Sequence, residues 1–451
     1  MVLQRGVPLS VWGVGEPGER IEVTFAHQSA TAQVGTDGRW CVELDPLEAS
    51  AKGRTLVVSF SSGSRQVFSD ILVGEVWIVA GQSNAGVPIW SDAAHVRDAH
   101  GGIKAQITRR PQIRFCKVRP EWSSEPRPDF SNRVSWVALT PENVQRLNWN
   151  FPAYGYYAVL ELCDALGVPI GVFAASYGAS PIEAWVPETG YRTHPDLVPG
   201  KFKPPYCQPK VLWNALLEPV AQMAVRGVMW YQGCHNSSSP AGYAEKMHAL
   251  YDGWRDRFAG LGLKFLFVQL PPYGNGVVAL QEEQAKFAAE EPNAWMAVIN
   301  DLGNLDDIHP NHKYGVGLRL AALALRHVYG ETNLVADSPT LKSWRVDGGR
   351  FRLTFDNVRR WSLASPDWST DAGFEIAGAD GRFVKAELEN LVVREKRPYK
   401  SDGKMEGLEL VVSSKDVTEP RHLRFLHSRP WYGALVNEAG LPVGPFHIDV
   451  R

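Results

Sequence analysis

The segment GEVWIVAGQSNAG, residues 74–86, decides the fold of the central region. Its apolar run VWIVA is rich in β-forming residues, which is typical of a strand buried on both faces. Small and polar residues follow directly where this run stops. A buried strand therefore delivers Ser83 to a corner flanked by glycines, where it is either a turn residue or a side chain held out for chemistry.

The same rhythm continues to about residue 335. Apolar segments such as VPIGVFAAS, RGVMWYQG, KFLFVQLPP and AWMAVIND alternate with helical segments such as YGYYAVLELCDALG and KYGVGLRLAALALRHVYG. This alternation predicts an α/β domain over residues 75–335, built on a doubly wound (flavodoxin-like) parallel sheet. Two segments rich in Pro, Arg and Asp, at about 91–150 and 186–210, are predicted to be long loops or insertions.

Short strands separated by turn signals occupy both ends of the chain. They predict an N-terminal β region over residues 1–74 and a C-terminal β domain over residues 336–451, both sandwich-like. The 16 tryptophans suit the cores of such regions, and they also suit contacts with sugar rings.

Composition limits the classes of function. The net charge of −2, without a basic block, argues against nucleic acid as a partner. No apolar run approaches the roughly 18 residues of a membrane helix, so we expect no membrane contact. The start MVLQRGVPLS lacks the apolar core of a signal peptide, so the protein is either cytoplasmic, or periplasmic or secreted with an upstream segment missing from this sequence. Five widely spaced cysteines indicate neither a disulfide framework nor a zinc ribbon. The sequence does not determine the oligomeric state.

Polar residues gather where the predicted strands end, and doubly wound sheets bind ligands at those ends. Ser83 follows one strand, Gly178 follows a second, and the segments WYQGCHN and DDIHPNHK follow two others. Together they supply a hydroxyl, amide donors, carboxylates and the imidazole of His309. Acyl transfer by a serine nucleophile requires these groups.

The blocks GEVWIVAGQSN, SYGASPIEAW, WYQG with a following Asn, and DDIHPNHK resemble the sialate O-acetylesterase family of carbohydrate esterases. That family belongs to the SGNH hydrolases, which carry Ser, Gly, Asn and His in separate sequence blocks. The resemblance extends from MVLQRGVPLSVWG to NEAGLPVGPFHID, which is almost the whole chain. It implies a serine esterase that needs no cofactor and no metal, and whose partner is an acetylated sugar or glycan.

Carried over by position, the resemblance makes Ser83 the nucleophile and His309 the general base. The backbone N–H groups of Ser83 and Gly178 become donors of the oxyanion hole. The third donor is open, because His235 stands where the Gly-x-Asn spacing places it. Gln232 or Asn236 then takes that role.

The orienting carboxylate is also open between two neighbours. The wider hydrolase group spaces its acid three residues before the histidine, at Asp306, whereas many members of the family have it two residues before, at Asp307. The segment GNLDD is rich in turn-forming residues, and a tight turn brings Asp306 under the imidazole, so we favour Asp306. The other aspartate would cap the helix that starts near Asn311. The carboxylate should raise the pKa of His309.

We assign substrate contacts to residues in the first two blocks, namely Gln82, Asn84, Glu183 and Trp185. The predicted function is removal of acetyl groups from sugar hydroxyls, with acetylated sialic acid as the first candidate substrate. The alternative substrate is an acetylated plant polysaccharide such as xylan or xyloglucan. The alternative without catalysis is a carbohydrate-binding protein.

Two other catalytic hypotheses are weaker. A cysteine nucleophile at Cys234 with His235 as its base is disfavoured, because adjacent side chains on an extended segment point to opposite faces. A metal site formed by Asp306, Asp307, His309 and His312 lacks a second cluster to complete the ligands.

Overall fold

The computed structural model describes residues 1–450 apart from 97–109, 111, 148–149, 198–201, 259–261, 274–276, 364–371, 390, 398–399, 406 and 428–434. The chain divides into two compact units. The first comprises Met1–Trp230 and Glu245–Phe265, and the second comprises Tyr231–Ala244 and Leu266–Arg451.

The strands up to residue 231 are β1 (Val2–Gln4), β2 (Leu9–Val14), β3 (Arg20–Phe25), β4 (Gln28–Gln33), β5 (Arg39–Leu44), β6 (Ser50–Phe60), β7 (Arg65–Gly81), β8 (Ile113–Lys117), β9 (Trp136–Ala138), β10 (Ile170–Ser176) and β11 (Gly227–Tyr231). The helices up to residue 257 are α1 (Ser83–Gly86), α2 (Ile89–Val96), α3 (Pro141–Arg146), α4 (Ala153–Leu166), α5 (Glu188–Thr193), α6 (Val211–Leu216) and α7 (Tyr243–Arg257).

Strand β7 is 17 residues long, and every residue from Ile71 onward is buried. Its N-terminal part pairs antiparallel with β6 and parallel with β1. Its C-terminal part lies between β10 and β11. The strand therefore continues without a break through residue 74, where the sequence predicted the N-terminal β region to end.

The sheet of the first unit has the order β11-β7-β10-β8-β9. Strand β10 is parallel to both β7 and β8, whereas β9 is antiparallel to β8. The mixed α/β architecture with a large central sheet is confirmed. The described part of the segment 91–150, predicted to be a long loop or an insertion, contains β8, β9 and α3, and β8 is buried in the sheet.

The register of β7 and β10 brings their carboxyl ends to one edge. Gly81 is directly opposite Ser176, and the Tyr177 N–H donates to the Gly81 carbonyl over 3.0 Å. Ser83 and Gly178 each lie two residues beyond this last pair. The pairing of the strands therefore determines that the two residues leave the sheet side by side.

Helix α4 packs closely against this part of β7. A Cβ atom added at Gly155 would lie 2.7 Å from Val79 Cγ2, so only glycine allows this approach. The neighbouring Tyr154 hydroxyl donates to the carbonyls of Ala80, over 3.2 Å, and Met229, over 2.9 Å. One tyrosine thus holds the ends of β7 and β11 together.

Tryptophans form a buried cluster in the first unit. Trp230 contacts Trp185 and Trp254 edge to face, with ring centroids 5.6 Å apart in both pairs, and Trp213 lies 5.8 Å from Trp254. All four are at most 2% exposed. They fill a core of the α/β region, whereas the sequence suggested tryptophans in the cores of the flanking β regions.

A buried charge anchors the start of the chain to β7. Glu75, with no exposed surface, accepts hydrogen bonds from Arg226 Nε over 2.7 Å, Arg5 Nε over 2.6 Å and Gln4 Nε2 over 3.0 Å. Burial alone would raise the pKa of Glu75, but these hydrogen bonds and the Arg226 charge hold it below its ordinary value. Breaking such a buried pair typically costs about 3–5 kcal/mol.

The second unit continues with β12 (Lys264–Val268), α8 (Val277–Glu290), β13 (Ala294–Ala297) and α9 (Lys313–His327). Its later strands are β14 (Thr340–Asp347), β15 (Arg350–Asp356), β16 (Ser362–Leu363), β17 (Phe374–Ala377), β18 (Val384–Lys385), β19 (Glu387–Leu388), β20 (Leu391–Arg397), β21 (Lys400–Met405), β22 (Leu410–Ser413), β23 (His422–Phe425), β24 (Leu435–Val436) and β25 (Phe446–Asp449).

The later strands pair antiparallel in sheets of the orders β14-β15-β22-β19, β20-β21-β16-β24 and β18-β17-β23-β25. Phe351, Leu353, Phe374, Leu423 and Phe425 belong to one core in this region, and none of the five is exposed. None of the helices that the structure describes is long and apolar enough to span a membrane.

Candidate active site

Ser83 occupies the first position of the short helix α1 and is half-buried. The chain reaches it through Gly81, whose φ of 143° favours glycine, and Gln82, which is extended. Gly-Gln-Ser is thus a sharp corner after a buried strand, as the sequence predicted.

Gly178 lies against Ser83. A Cβ atom built on Gly178 would be 3.9 Å from Ser83 Cβ, so the two corners lie in close proximity. Ala179 follows in the left-handed region with a φ of 54°, which costs an L-residue about 1 kcal/mol or more. Such strain is typical of functional corners.

Side-chain hydrogen bonds and an ion pair stabilise the segment that follows β10. Ser180 Oγ donates to the Tyr177 carbonyl over 2.8 Å and accepts from Trp185 Nε1 over 3.0 Å. Glu183 is paired with Lys246 Nζ over 2.7 Å. These contacts fix the segment that contains Gly178.

The residues assigned to substrate contacts are all buried. Gln82 is 3% exposed, Asn84 0%, Glu183 6% and Trp185 0%.

The two candidates for the third oxyanion donor are hydrogen-bonded to each other in the second unit. Gln232 Nε2 donates to Asn236 Oδ1 over 2.9 Å, and Gln232 Oε1 accepts from the Tyr243 hydroxyl over 2.6 Å. Gln284 Nε2 contacts the Gln232 carbonyl over 3.4 Å. Sequence reasoning missed Tyr243 and Gln284, because each belongs to a helix without a motif.

The turn between Gln232 and Asn236 depends on Gly233. Its φ is 146°, and an added Cβ atom would lie 2.9 Å from Leu280 and 3.0 Å from Leu270. The Asn236 N–H then donates to the Gly233 carbonyl over 2.9 Å. The packing of Gly233 against Leu270 and Leu280 therefore fixes the path of the chain from the end of β11 to Asn236.

His309 has its two ring nitrogens in different surroundings. Nδ1 lies 4.0 Å from Asp307 Oδ1, whereas Nε2 is buried without a hydrogen-bond partner among the described residues. A contact of 4.0 Å is longer than a hydrogen bond, but catalytic contacts often tighten only when substrate binds. A proton on Nδ1 would leave Nε2 with a free lone pair, which is the state a general base needs.

The structure places Asp307, and not Asp306, beside the imidazole. Asp307 Oδ1 also accepts a hydrogen bond from the backbone N–H of His309 over 2.8 Å. Asp306 is exposed, and its own N–H donates to Asn304 Oδ1 over 3.0 Å. The turn that we expected to bring Asp306 under the imidazole brings the Asp307 carboxylate closer to it, and the choice between the two as the orienting residue stays a prediction. Helix α9 begins at Lys313 and is not capped by a side chain.

The pKa of His309 is lowered from its ordinary value, whereas we expected the neighbouring carboxylate to raise it. Burial lowers it most, the Lys313 charge lowers it further, and the Asp307 charge opposes both. Lys313 is fully buried, donates from Nζ to the Pro310 carbonyl over 3.0 Å and lies 5.2 Å from the Tyr231 ring centroid. A nearby buried cation thus outweighs a half-exposed carboxylate.

A model of the family described as "Carbohydrate esterase, sialic acid-specific acetylesterase" matches residues 73–326. Sialate O-acetylesterase from Homo sapiens is 29% identical over 389 residues, covering 75% of this chain and 71% of the relative. The enzyme of the same name from Mus musculus is 28% identical over 461 residues, covering 85% and 82%. The crystal structure of a carbohydrate acetylesterase from Xanthomonas citri is 33% identical, has a TM-score of 0.84, and is covered over 97% by the whole of this chain.

Proposed function

Because this chain belongs to the sialic acid-specific acetylesterase family of carbohydrate esterases, we propose that it removes acetyl groups from sugar hydroxyls through a serine acyl-enzyme, with acetylated sialic acid as the substrate. It is a hydrolase of carbohydrate O-acetyl esters. The observation that carries the mechanism is the placement of Ser83 against the backbone of Gly178, at the adjoining ends of two parallel strands.

In the proposed reaction, Ser83 Oγ attacks the acetyl carbonyl and forms a tetrahedral intermediate. The N–H groups of Ser83 and Gly178 stabilise its oxyanion, since a donor is most effective where negative charge develops. Collapse of the intermediate releases the sugar hydroxyl and leaves an acetyl-enzyme, which water then hydrolyses to acetate.

His309 acts as the base. Its Nε2 takes the proton of Ser83 and returns it to the departing sugar oxygen, and the imidazole then activates the water in the same way. Asp307 holds the tautomer that carries its proton on Nδ1. Two observations support this assignment: Asp307 lies near Nδ1, and the buried Nε2 has no hydrogen-bond partner in the part of the chain that the structure describes.

Asn236 is the third oxyanion donor in this proposal, and Gln232 positions it. The carboxamide oxygen of Asn236 accepts a hydrogen bond from Gln232, and Nδ2 is the donor of that carboxamide, whereas Gln232 already uses its own Nε2 in this bond. Gln232 is itself fixed by Tyr243. The assignments of Gln82, Asn84, Glu183 and Trp185 to the substrate site stay predictions.

Replacing the donor of Asn236 should slow the chemical step. We expect Asn236→Asp to lower kcat by about 10²–10³, as loss of one oxyanion donor does elsewhere, with a smaller change in KM. Tyr243→Phe, which removes the hydroxyl that donates to Gln232, should lower kcat by less. Steady-state kinetics on an aryl acetate measures both variants. A larger loss in Tyr243→Phe than in Asn236→Asp would assign the donor to Gln232.

The pH profile should reflect the lowered pKa of His309. A general base must be neutral, so kcat/KM rises as the pH rises through the pKa of His309. We expect the midpoint of this rise below the ordinary value of about 6.5. Lys313→Met removes the cation that lowers the pKa, so its midpoint should move upward. The exposed Lys342→Met serves as control and should leave the midpoint unchanged. A wild-type midpoint above 6.5 would contradict the assignment.

The substrate is tested by acetate release from acetylated sialic acid, acetylated xylan and acetylated xyloglucan under the same conditions. The proposal expects the highest kcat/KM on sialic acid. A preference for either polysaccharide would keep the esterase mechanism and replace the substrate. Binding of these sugars without release of acetate, including from an aryl acetate, would leave a carbohydrate-binding protein and overturn the proposal.

A further inference from the structure

Two histidines and a glutamate converge in the second unit and have no part in the proposed reaction. Glu282 lies in helix α8, His427 lies two residues past the end of β23, and His447 lies in β25. These positions are separated by 145 and 165 residues along the chain from Glu282. Only the fold brings the three side chains together.

One oxygen of the glutamate is the centre of the cluster. Glu282 Oε1 lies 3.0 Å from His427 Nε2 and 2.7 Å from His447 Nδ1. The three atoms all lie within 4.8 Å of one another. Ligand atoms around a tetrahedral Zn²⁺ with bonds of about 2.1 Å lie about 3.4 Å apart. The two glutamate contacts would have to lengthen by about 0.4 and 0.7 Å, and the two nitrogens would have to approach each other by at most about 1.4 Å, for these atoms to share one ion.

The exposure of the cluster leaves an entry path. The Glu282 side chain is 22% exposed and that of His427 is 19%, whereas that of His447 is 55%. Two half-buried ligands are held by their own elements, and the third faces solvent. A small ion can therefore enter without any opening of the core.

We propose that Glu282, His427 and His447 bind a divalent transition-metal ion, with Zn²⁺ as the first candidate. Two imidazole nitrogens and one carboxylate oxygen form a ligand set that suits Zn²⁺, and a water completes the tetrahedron. Each nitrogen gives the metal a lone pair, and any proton on that nitrogen is released to solvent. The ion thereby replaces the hydrogen bonds that the histidines now make to Glu282.

The charges around the cluster are compatible with a cation. One cationic neighbour among the described residues, Arg424, is directly opposite His447 in the sheet and is paired with Glu375 over 2.8 Å. Asp449 and His422 form a separate pair on the same strands. The hydrogen bond that His447 donates to Glu282 raises the pKa of His447, so the titration should be made at pH 8, where protons compete less for the nitrogen.

A bound ion would tie helix α8 to strand β25 and to the segment that follows β23. The same helix contains Gln284, whose side chain contacts the carbonyl of Gln232. Because the unfolded chain does not hold these ligands together, metal binding should stabilise the folded chain. The expected effect is therefore on stability and is independent of turnover.

The test is a Zn²⁺ titration of the full chain against a chromophoric chelator, together with melting curves. We expect one equivalent to bind to the wild type and to raise its Tm. His447→Gln replaces the exposed ligand and should weaken this site at least tenfold, since even second-shell changes cost about 10–100-fold. Glu282→Gln keeps the shape and removes the charge, and it should also weaken binding. His422→Gln, at another histidine–carboxylate pair of the same strands, is the matched control and should bind like the wild type.

Each outcome decides the proposal. The proposal is supported if His447→Gln and Glu282→Gln no longer bind the one equivalent of Zn²⁺ and show no rise in Tm. His422→Gln should still bind the ion and show the rise. The absence of binding to the wild type would overturn it and leave a cluster of hydrogen-bonded ion pairs. Equal binding by the wild type and His447→Gln would also overturn it, since the ion would then lie elsewhere. Esterase activity enters none of these readouts, so failure here leaves the proposed function untouched.

Discussion

Ser83→Ala is expected to abolish esterase activity while the protein stays folded. A member of a catalytic triad typically contributes about 10⁴–10⁶ in kcat, because without the nucleophile only binding and the oxyanion hole remain. The hydroxyl stands on a half-buried corner, so removing one oxygen should hardly change packing. The measurement is kcat on an aryl acetate, with Tm and far-UV circular dichroism as tests of folding.

Ser91→Ala is the matched control for this variant. Ser91 is also a partly buried serine, in helix α2, and its hydroxyl donates to the Pro88 carbonyl over 2.8 Å. It has no role in the proposed reaction and should keep wild-type kcat. A folded Ser83→Ala protein with activity within tenfold of the wild type would refute the nucleophile. Cys234 would then be the next residue to test, as the cysteine alternative requires.

Asp307→Asn should produce the second-largest loss. The asparagine can still accept the hydrogen bond from the backbone N–H of His309, so the local turn should persist. Without the negative charge, the side chain no longer favours the tautomer of His309 that carries its proton on Nδ1. We expect a loss of up to about 10⁴ in kcat, as for other triads that lose the orienting charge. The Asp307 charge also raises the pKa of His309, so the residual activity should rise with pH at a still lower midpoint.

Asp306→Asn separates this interpretation from the one we favoured on sequence alone. Asp306 is exposed, and the contact that shapes its turn uses its backbone N–H, so its side chain should be dispensable. We expect kcat within about threefold of the wild type, since surface substitutions usually cost within 0.5 kcal/mol. An inactive Asp306→Asn with an active Asp307→Asn would reverse the assignment. Two active variants would leave Ser83 and His309 as a dyad.

The predictable part of the site is the part that strand geometry controls. Ser83 and Gly178 are neighbours because parallel strands end together, and apolar runs followed by small residues show where each strand ends. The strand β8 was missed because its five residues lie inside a segment dominated by loop-forming residues. A short strand gives too little periodicity to be recognised against that background.

Side-chain choices were less predictable. Asp306 and Asp307 differ by one position, and the decision between them depends on a hydrogen bond from Asp306 to Asn304 that no pattern encodes. The pKa of His309 depends on burial and on Lys313, which the sequence shows only as a residue four positions away. The contact of Tyr243 with Gln232 requires the packing of a helix on a strand end. Tertiary contacts of this kind follow from the whole fold.

Strand β7 has a consequence for protein engineering. A truncated chain starting at residue 75 would retain every proposed catalytic residue, and its length would look like that of a self-sufficient hydrolase. It would nevertheless lose Gln4 and Arg5, which satisfy the carboxylate of Glu75, and the first ten residues of the strand that leads to Ser83. The N-terminal β region is therefore part of the structure that supports the catalytic serine. Shortening it or replacing it with another domain should destabilise the strand that leads to Ser83 and lower esterase activity.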